Sequence, residues 1–378
     1  MCNALITLAT DKFKGAAPKY KQILLELRRS IADGEYQPGD RMPSEADLGQ
    51  RFDVSRLTIQ RVLKELQIEG LVERKAGSGT YIKTPTAEGR LFGLLIPSLG
   101  ETEIFEPICQ GIARAGARGG HALLWGDPTL GVAGQERQAV DVCSDYISRG
   151  VSGVFFAPIE GIEGKDRLNR EIIELLEQAK IPVVLLDRCI CPYPRRSRYD
   201  LVGIDNRRAG HIVTEHLLAQ GSRAPVFLAR PFTAPTVDAR IRGFFDAVSR
   251  NERPWDRVLR CEPSDLEAVR ETMAKLKPDG FVCANDMTAA TLMHSLEELG
   301  HSVPREVRIV GIDDVRYAKL LRVPLTTLRQ PCLEIGETAV AVMLSRMARP
   351  ELPARDILLA CELIVRDSCG ESASRSAA

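Results

Sequence analysis

The chain has 378 residues, enough for a small domain and a larger α/β body. Lys plus Arg and Asp plus Glu both number 51, so net charge excludes a generally basic or acidic protein, and any cationic surface must be local. No apolar run reaches transmembrane length, and residues 1–10 lack a basic segment and a cleavage signature, which points to the cytoplasm with no membrane partner.

Residues 1–17 read as an extension. From Pro18 to Asp33 a helix places Ile23, Leu24, Leu27 and Ile31 on one face and exits at Gly34. Ser44 is a good N-cap, with Asp47 completing an approximate capping box for a helix carrying Leu48 and Phe52. Asp53-Val54 forms a turn. Ser55 caps the next helix, which buries Ile59, Val62, Leu63 and Leu66 and stops at Gly70. Its first turn exposes Arg56, Thr58 and Gln60, with Arg61 just behind. Two short helices, the second with a polar and basic first turn, suit entry into a major groove. Leu71–Arg74 and Thr80–Ile82 then alternate as a hairpin around the glycine-rich loop Lys75–Gly79. Residues 18–82 thus form a winged helix-turn-helix.

The DNA chemistry follows from residue type. Arg56 can make a bidentate contact to guanine, and Gln60 favours adenine. Ser44 and Thr58, at helix N-termini, suit phosphate. Gly77 and Gly79 let the wing approach the duplex. Lys75 and Arg74 either pair phosphates or remain solvated hairpin charges, and Arg61 serves either DNA or a surface salt bridge. The run PSEADLGQRFDVSRLTIQRVLKELQIEGLVERKAGSGTYI resembles the winged helix of the GntR family of bacterial regulators, with PSE, VSR-x-T, L-x-x-EG-L and GSGT(Y) in order. Relatives often carry arginine where this chain has Gln60, and arginine or asparagine where it has Ala46.

Residues 83–90, opening KTPTAEG, break periodicity as a linker. From Leu91 the pattern alternates apolar strands with helices. A first set runs through strands 91–96, 121–125, 153–157 and 183–186, with helices at 108–119, 140–149 and 171–179. A second set has helices at 208–219, 239–250, 265–276 and 287–299, with strands at 226–229, 258–261, 280–284 and 308–311. Two successive α/β lobes with doubly wound parallel sheets imply a cleft, where ligands bind beyond the carboxyl ends of strands. Three polar pairs end such strands: Asp187-Arg188, Asn285-Asp286 and Asp313-Asp314. Capping explains any one of them, whereas three converging pairs suit a polyhydroxylated or charged small ligand.

The stretch KPDGFVCANDMTAATLMHSLEELGHSVPREVRIVGIDDVRYAKLLRVPLTTLRQP is similar to the effector domain of the LacI/GalR regulators, relatives of periplasmic sugar-binding proteins. The likeness extends back through GLLIPS, IPVVLLDR and DARIRGFFDAV. It implies a periplasmic-binding-protein-like body over 91–370, with one lobe at 91–203 and 331–352, the other at 204–328 and 355–367, and a tail at 371–378. It also implies effector contacts at Asp187 with neighbouring Arg188, Arg240, Asn285, Asp313 and Gln330, and a stacking wall at Phe105. Taken alone, Arg240 also reads as a surface helix cation and Gln330 as a strand-crossing hydrogen bond. The family's N-P-F-F element is replaced here by the longer SLGETEIFEP, without its asparagine, and the family's own helix-turn-helix and hinge helix are absent. The combination resembles the arabinose repressors of Gram-positive bacteria. It implies a repressor controlled by a carbohydrate, working as a homodimer on palindromic operator DNA.

Of the ten cysteines only Cys189 and Cys191 lie close together, a poor metal signal in a reducing compartment. No metal or cofactor is expected. An enzyme body would need an imine-forming lysine, a phosphate loop or a nucleophile elbow, and none of these patterns occurs. A body that senses a partner protein is the remaining alternative.

Overall fold

The computed structural model describes residues 19–32, 35–37, 39–68, 71–75, 78–82, 89–96, 103–126, 135–160, 162, 164–248 and 257–370. The extension 1–17, Gly34, Gly70, Gly77, linker residues 83–88 and the tail 371–378 lie outside the described residues.

The reading head comprises α1 (Lys19–Ala32), α2 (Glu45–Phe52), α3 (Arg56–Ile68) and a hairpin of β1 (Val72–Lys75) and β2 (Gly79–Ile82). Leu27, Leu48, Ile59, Val62 and Leu66 are fully buried in one core, closed by Val72 and Ile82 of the hairpin. Ser44 and Asp47 complete both halves of a capping box, with the Asp47 N–H donating to Ser44 Oγ at 3.2 Å and the Ser44 N–H to Asp47 Oδ2 at 3.0 Å. Asp53 ends α2 in the left-handed region at φ 50°, so the chain reverses within a few residues. Ser55 Oγ then accepts from the Thr58 N–H at 3.3 Å to start α3.

The first lobe of the body holds β3 (Leu91–Leu95), α4 (Phe105–Arg118), β4 (Ala122–Trp125), α5 (Gln135–Ser148), β5 (Gly153–Phe156), α6 (Lys165–Gln178), β6 (Val183–Leu186) and β7 (Asp200–Ile204). The second holds α7 (Asn206–Ala219), β8 (Pro225–Ala229), α8 (Pro235–Val248), β9 (Val258–Arg260), α9 (Leu266–Leu276), β10 (Gly280–Cys283), α10 (Asp286–Glu298), β11 (Arg308–Asp313) and β12 (Thr326–Arg329). The chain returns through α11 (Cys332–Ala348), packed on β6 and β7, and ends in β13 (Asp356–Leu359) and β14 (Glu362–Ile364). The sheet orders are β13-β7-β6-β5-β3-β4 and β14-β12-β11-β10-β8-β9. Strands β5, β6, β8 and β10 are buried at every position, as parallel strands covered on both faces must be.

One boundary differs from expectation. Residues 355–367 were expected in the second lobe, but β13 pairs in parallel with β7, from Asp356↔Leu201 to Leu359↔Ile204, and only β14 joins the second sheet. The cause is Asp200, wholly buried at the start of β7. It accepts from the Arg355 N–H at 2.8 Å and from Arg346 Nε at 3.0 Å, and this anchors the returning chain beside β7. The chain therefore crosses between lobes three times: after β7, after β12 and after β13. Helix α6 starts at Lys165 instead of Glu171, because buried Asn169 interrupts the apolar period. Its side chain accepts from the Ile159 N–H at 2.7 Å and donates to the Ile159 carbonyl at 3.1 Å.

Helices α7 and α8 cross at two glycines. A Cβ on Gly210 would overlap the carbonyl oxygen of Arg240, and one on Gly243 would overlap that of Arg207. Among the described residues no helix is long and apolar enough to cross a membrane.

Candidate DNA interface and ligand cleft

In the head, the exposed first turn of α3 meets α2 and the wing at a single carboxylate. Glu45 Oε2 accepts from Arg56 Nε at 2.8 Å and from Gln60 Nε2 at 3.0 Å, while Oε1 pairs with Arg74 Nη2 of β1. The Arg56 hydrogen bond, outweighing burial, holds the Glu45 carboxyl below the usual glutamate range. Ser44 is exposed at the N-terminus of α2 with its hydroxyl in the capping box, and Thr58 Oγ1 lies 2.9 Å from Ser55 Oγ. Arg61 is not brought to this cluster. Its guanidinium stacks on Tyr20 of α1, 3.8 Å from the ring centroid. Lys75 pairs with Gly79 at the end of the hairpin, and its side chain lies outside the described residues. Gly79 has φ +126°, a conformation L side chains rarely adopt, and a Cβ there would lie 3.0 Å from Arg41 Nε.

In the body, Asp187 follows β6 and Asp313 ends β11, both at positive φ, 67° and 129°. Such strain persists only where the surroundings impose it. Arg188 Nε lies 3.2 Å from Asp187 Oδ2, its Nη1 pairs with Glu160, and its guanidinium sits 5.3 Å from the Phe105 ring centroid. Phe105 itself is buried beneath Arg188. Arg240, on α8, donates from Nε to Asn206 Oδ1 at 2.8 Å and from Nη1 to the Ala284 carbonyl at 2.6 Å, with Nη2 3.8 Å from Asp313 Oδ1. Gln330, at the second crossover, donates from Nε2 to Asp313 Oδ1 at 2.7 Å. The sequence left open a surface role for Arg240, yet the residue is 5 % exposed.

These groups share one electrostatic environment. Burial raises the Asp187 carboxyl against the opposing pull of Arg188 and Arg240. Burial also pushes Asp313 up to about 7, reinforced by Asp286 and Asp187 and opposed by Arg240 and Gln330. Burial disfavours charge on Arg188, but Glu160 and Asp187 outweigh it and raise its affinity for its proton. Four buried atoms of this cluster have no hydrogen-bond partner, the acceptors Asp187 Oδ1 and Gln330 Oε1 and the donors Arg188 Nε and Nη1, although buried polar groups are nearly always satisfied.

The strand-end pairs divide. Asp187 and Arg188 both enter the cluster. Asn285 caps α10, its side chain accepting from the Thr288 N–H at 2.9 Å, as the capping alternative had it. Asp286 is wholly buried, accepting from Thr327 Oγ1 at 2.5 Å and from the Val315 N–H at 3.0 Å. Asp313 joins the cluster, while Asp314 turns to Arg329 and Arg366. Three contributors escaped the sequence reading. Glu160 and Glu45 act through partners distant in sequence. Leu57, 76 % exposed in the reading turn, falls outside the buried period of α3, and that departure was the available signal.

A winged helix-turn-helix followed in the chain by a two-lobed body with a buried polar cluster at its strand ends makes a ligand-controlled DNA-binding transcriptional regulator. Residues 19–82 match the gntR family of bacterial regulatory proteins, and residues 214–369 match a periplasmic binding protein-like domain. The chain is 27% identical over 373 residues to the arabinose metabolism transcriptional repressor of Geobacillus stearothermophilus, covering 94% of this chain and 98% of that protein. Its body shares the fold of a LacI family transcriptional regulator from Enterococcus faecium solved with bound ribose (TM-score 0.60, 23% identity, covering 74% of this chain and 98% of that one). The transcriptional regulator CelR in complex with cellobiose is also similar (TM-score 0.62, 20% identity, 83% and 90% coverage).

Proposed function

We propose that this regulator is a cytoplasmic repressor whose operator affinity is set by a neutral, polyhydroxylated ligand, a sugar, bound in the cleft of the body. The carrying observation is a set of buried polar atoms without hydrogen-bond partners, the acceptors Asp187 Oδ1 and Gln330 Oε1 and the donors Arg188 Nε and Nη1, whose guanidinium pairs in charge with Glu160 and Asp187. Sugar hydroxyls supply the missing donors. An anionic ligand would meet Asp187, Asp313 and Glu160 beside the guanidinium of Arg188, which a neutral ligand does not oppose. In this reading Asp187, Arg188, Asn285, Asp313 and Gln330 line the ligand, Arg240 holds Asp313, and Phe105 backs Arg188. The relatives with bound ribose and cellobiose support the ligand class, and the arabinose repressor supports repression.

Residues 18–82 read the operator through Arg56, Gln60, Thr58 and Ser44, with Arg61, Lys75, Gly77 and Gly79 against the backbone. Exposed Leu57 adds an apolar contact suited to a thymine methyl group. The body, residues 91–370, dimerises so that two heads read the halves of a palindromic operator. Differential ligand affinity between DNA-bound and free states is what couples the two sites. A thermal-shift panel of pentoses, hexoses, disaccharides and sugar acids tests the ligand class, since ligand in excess stabilises by mass action. A neutral sugar should raise the melting temperature, and Gln330→Ala should remove the shift. A response confined to sugar acids would overturn the proposal.

A further inference from the structure

Glu45 holds the two side chains best suited to reading bases, and it holds them by their non-reading edges. It is the first residue of α2, yet its carboxylate gathers Arg56 and Gln60 from α3 and Arg74 from the wing. Arg56 and Gln60 stand four residues apart, on one face of the recognition helix. We infer that Glu45 is a positioning residue for DNA reading, fixing the orientation in which Arg56 and Gln60 meet base edges; this rests on the reading of those two residues as base contacts.

The chemistry of a carboxylate makes the orientation specific. A carboxylate accepts and never donates, so Gln60 must turn its amide nitrogen toward Glu45. That nitrogen carries a second hydrogen, which with the amide oxygen forms the donor–acceptor pair that matches adenine N7 and N6. A flipped amide would lose a charge-assisted bond, so the pairing preference is set before DNA arrives. Arg56 spends its Nε–H on the same oxygen, which leaves its terminal Nη1/Nη2 edge as the fork for guanine O6 and N7. Its side chain is 76% exposed, and among the described residues its side-chain hydrogen bond is the one to Glu45. Arg74 engages the other carboxylate oxygen and ties the wing to the same hub.

The carboxylate also offsets positive charge near the phosphates. Removing it should therefore move two quantities in opposite directions. Base discrimination falls because the reading groups become free to rotate, while attraction to any duplex is kept or increased. Loss of folding would lower both together.

The test uses the full chain as wild type, Glu45→Ala and Glu45→Gln. Each is selected against a random duplex pool, and affinities are then measured for the enriched duplex and a scrambled one. The expected result for Glu45→Ala is a drop of about tenfold or more in the enriched-to-scrambled ratio. Binding to the scrambled duplex should be unchanged or stronger. Glu45→Gln, which keeps an acceptor but not the charge, should fall between. Adding Gln60→Ala to Glu45→Ala should cost little further discrimination at the base pair that Gln60 reads. A wild-type ratio in Glu45→Ala overturns the inference, and so does a parallel loss of both affinities. A wild-type chain that enriches no motif overturns the reading of Arg56 and Gln60 as base contacts, and this inference with it.

Discussion

Asp200, which opens β7, and Asp313, which closes β11, are both buried aspartates beside arginine, yet their surroundings drive them in opposite directions. Burial alone would raise the carboxyl of Asp200. Hydrogen bonds from Arg346 and Arg355 outweigh it and hold the group below the ordinary aspartate range. Asp313 has one arginine at 3.8 Å and one amide, with Asp286 and Asp187 nearby, and burial prevails. A carboxylate that the fold satisfies completely serves the fold. One with a single hydrogen bond, beside acceptors with none, fits the ligand site proposed above.

The largest effect that would break this contrast lies at Asp200. Asp200→Ala should cost about 2–3 kcal/mol by removing the shared acceptor of Arg346 and Arg355, read as a lower urea midpoint for the body. Asp313→Ala should abolish the response to a stabilising sugar while operator affinity stays unchanged, as calorimetry and DNA binding can show. If that variant bound sugar as the wild type does, the cleft assignment would be wrong. Acidity sharpens the same pair. The raised Asp313 favours the fold when protonated, so its contribution is present near pH 4 and lost as pH rises through about 7. Asp286, raised to about 6, acts in the same direction. The lowered Asp200 contributes at neutral pH and is lost on acidification below the ordinary aspartate range. Asp313→Asn should therefore flatten the neutral limb of stability against pH and leave the acid limb in place. For ligand binding the sign reverses: ionised Asp313 is the stronger acceptor for sugar hydroxyls, so sugar affinity should fall as pH drops below about 7. In the head, where charges are solvated, effects are smaller. Arg56→Ala should weaken specific binding by about 1–3 kcal/mol and relax preference at one base pair, measured on single-base operator variants.

Local pattern made the head readable. The capping box at Ser44 and the spacing of Ile59, Val62, Leu63 and Leu66 depend on neighbours within a turn or two, and both appear where expected. The strand-end aspartates were readable for the same reason, since a polar pair after a buried strand is a local event. What distinguishes Asp313 from Asp314, or a capping Asn285 from the clustered Asp187, is set by partners elsewhere in the fold. Glu45 meets groups 11, 15 and 29 positions away, and Asp200 meets arginines 146 and 155 positions away. No periodicity carries that information. The same limit explains β13, since residues 355–367 read as part of one lobe until Arg355 is seen to dock on Asp200 and divide them between two sheets.

The crossing of α7 and α8 through Gly210 and Gly243 bears on how such a regulator can acquire a new inducer over generations. The frame that carries Arg240 to Asn206 and Ala284 closes on backbone alone, so any side chain at either glycine would lever the helices apart and withdraw the arginine. Asp187, Asn285 and Gln330 stand outside that crossing, at strand ends and at a crossover of the chain. In the function proposed above, ligand preference can therefore drift by exchange at these strand ends, one residue at a time, while the frame beside them is inherited intact.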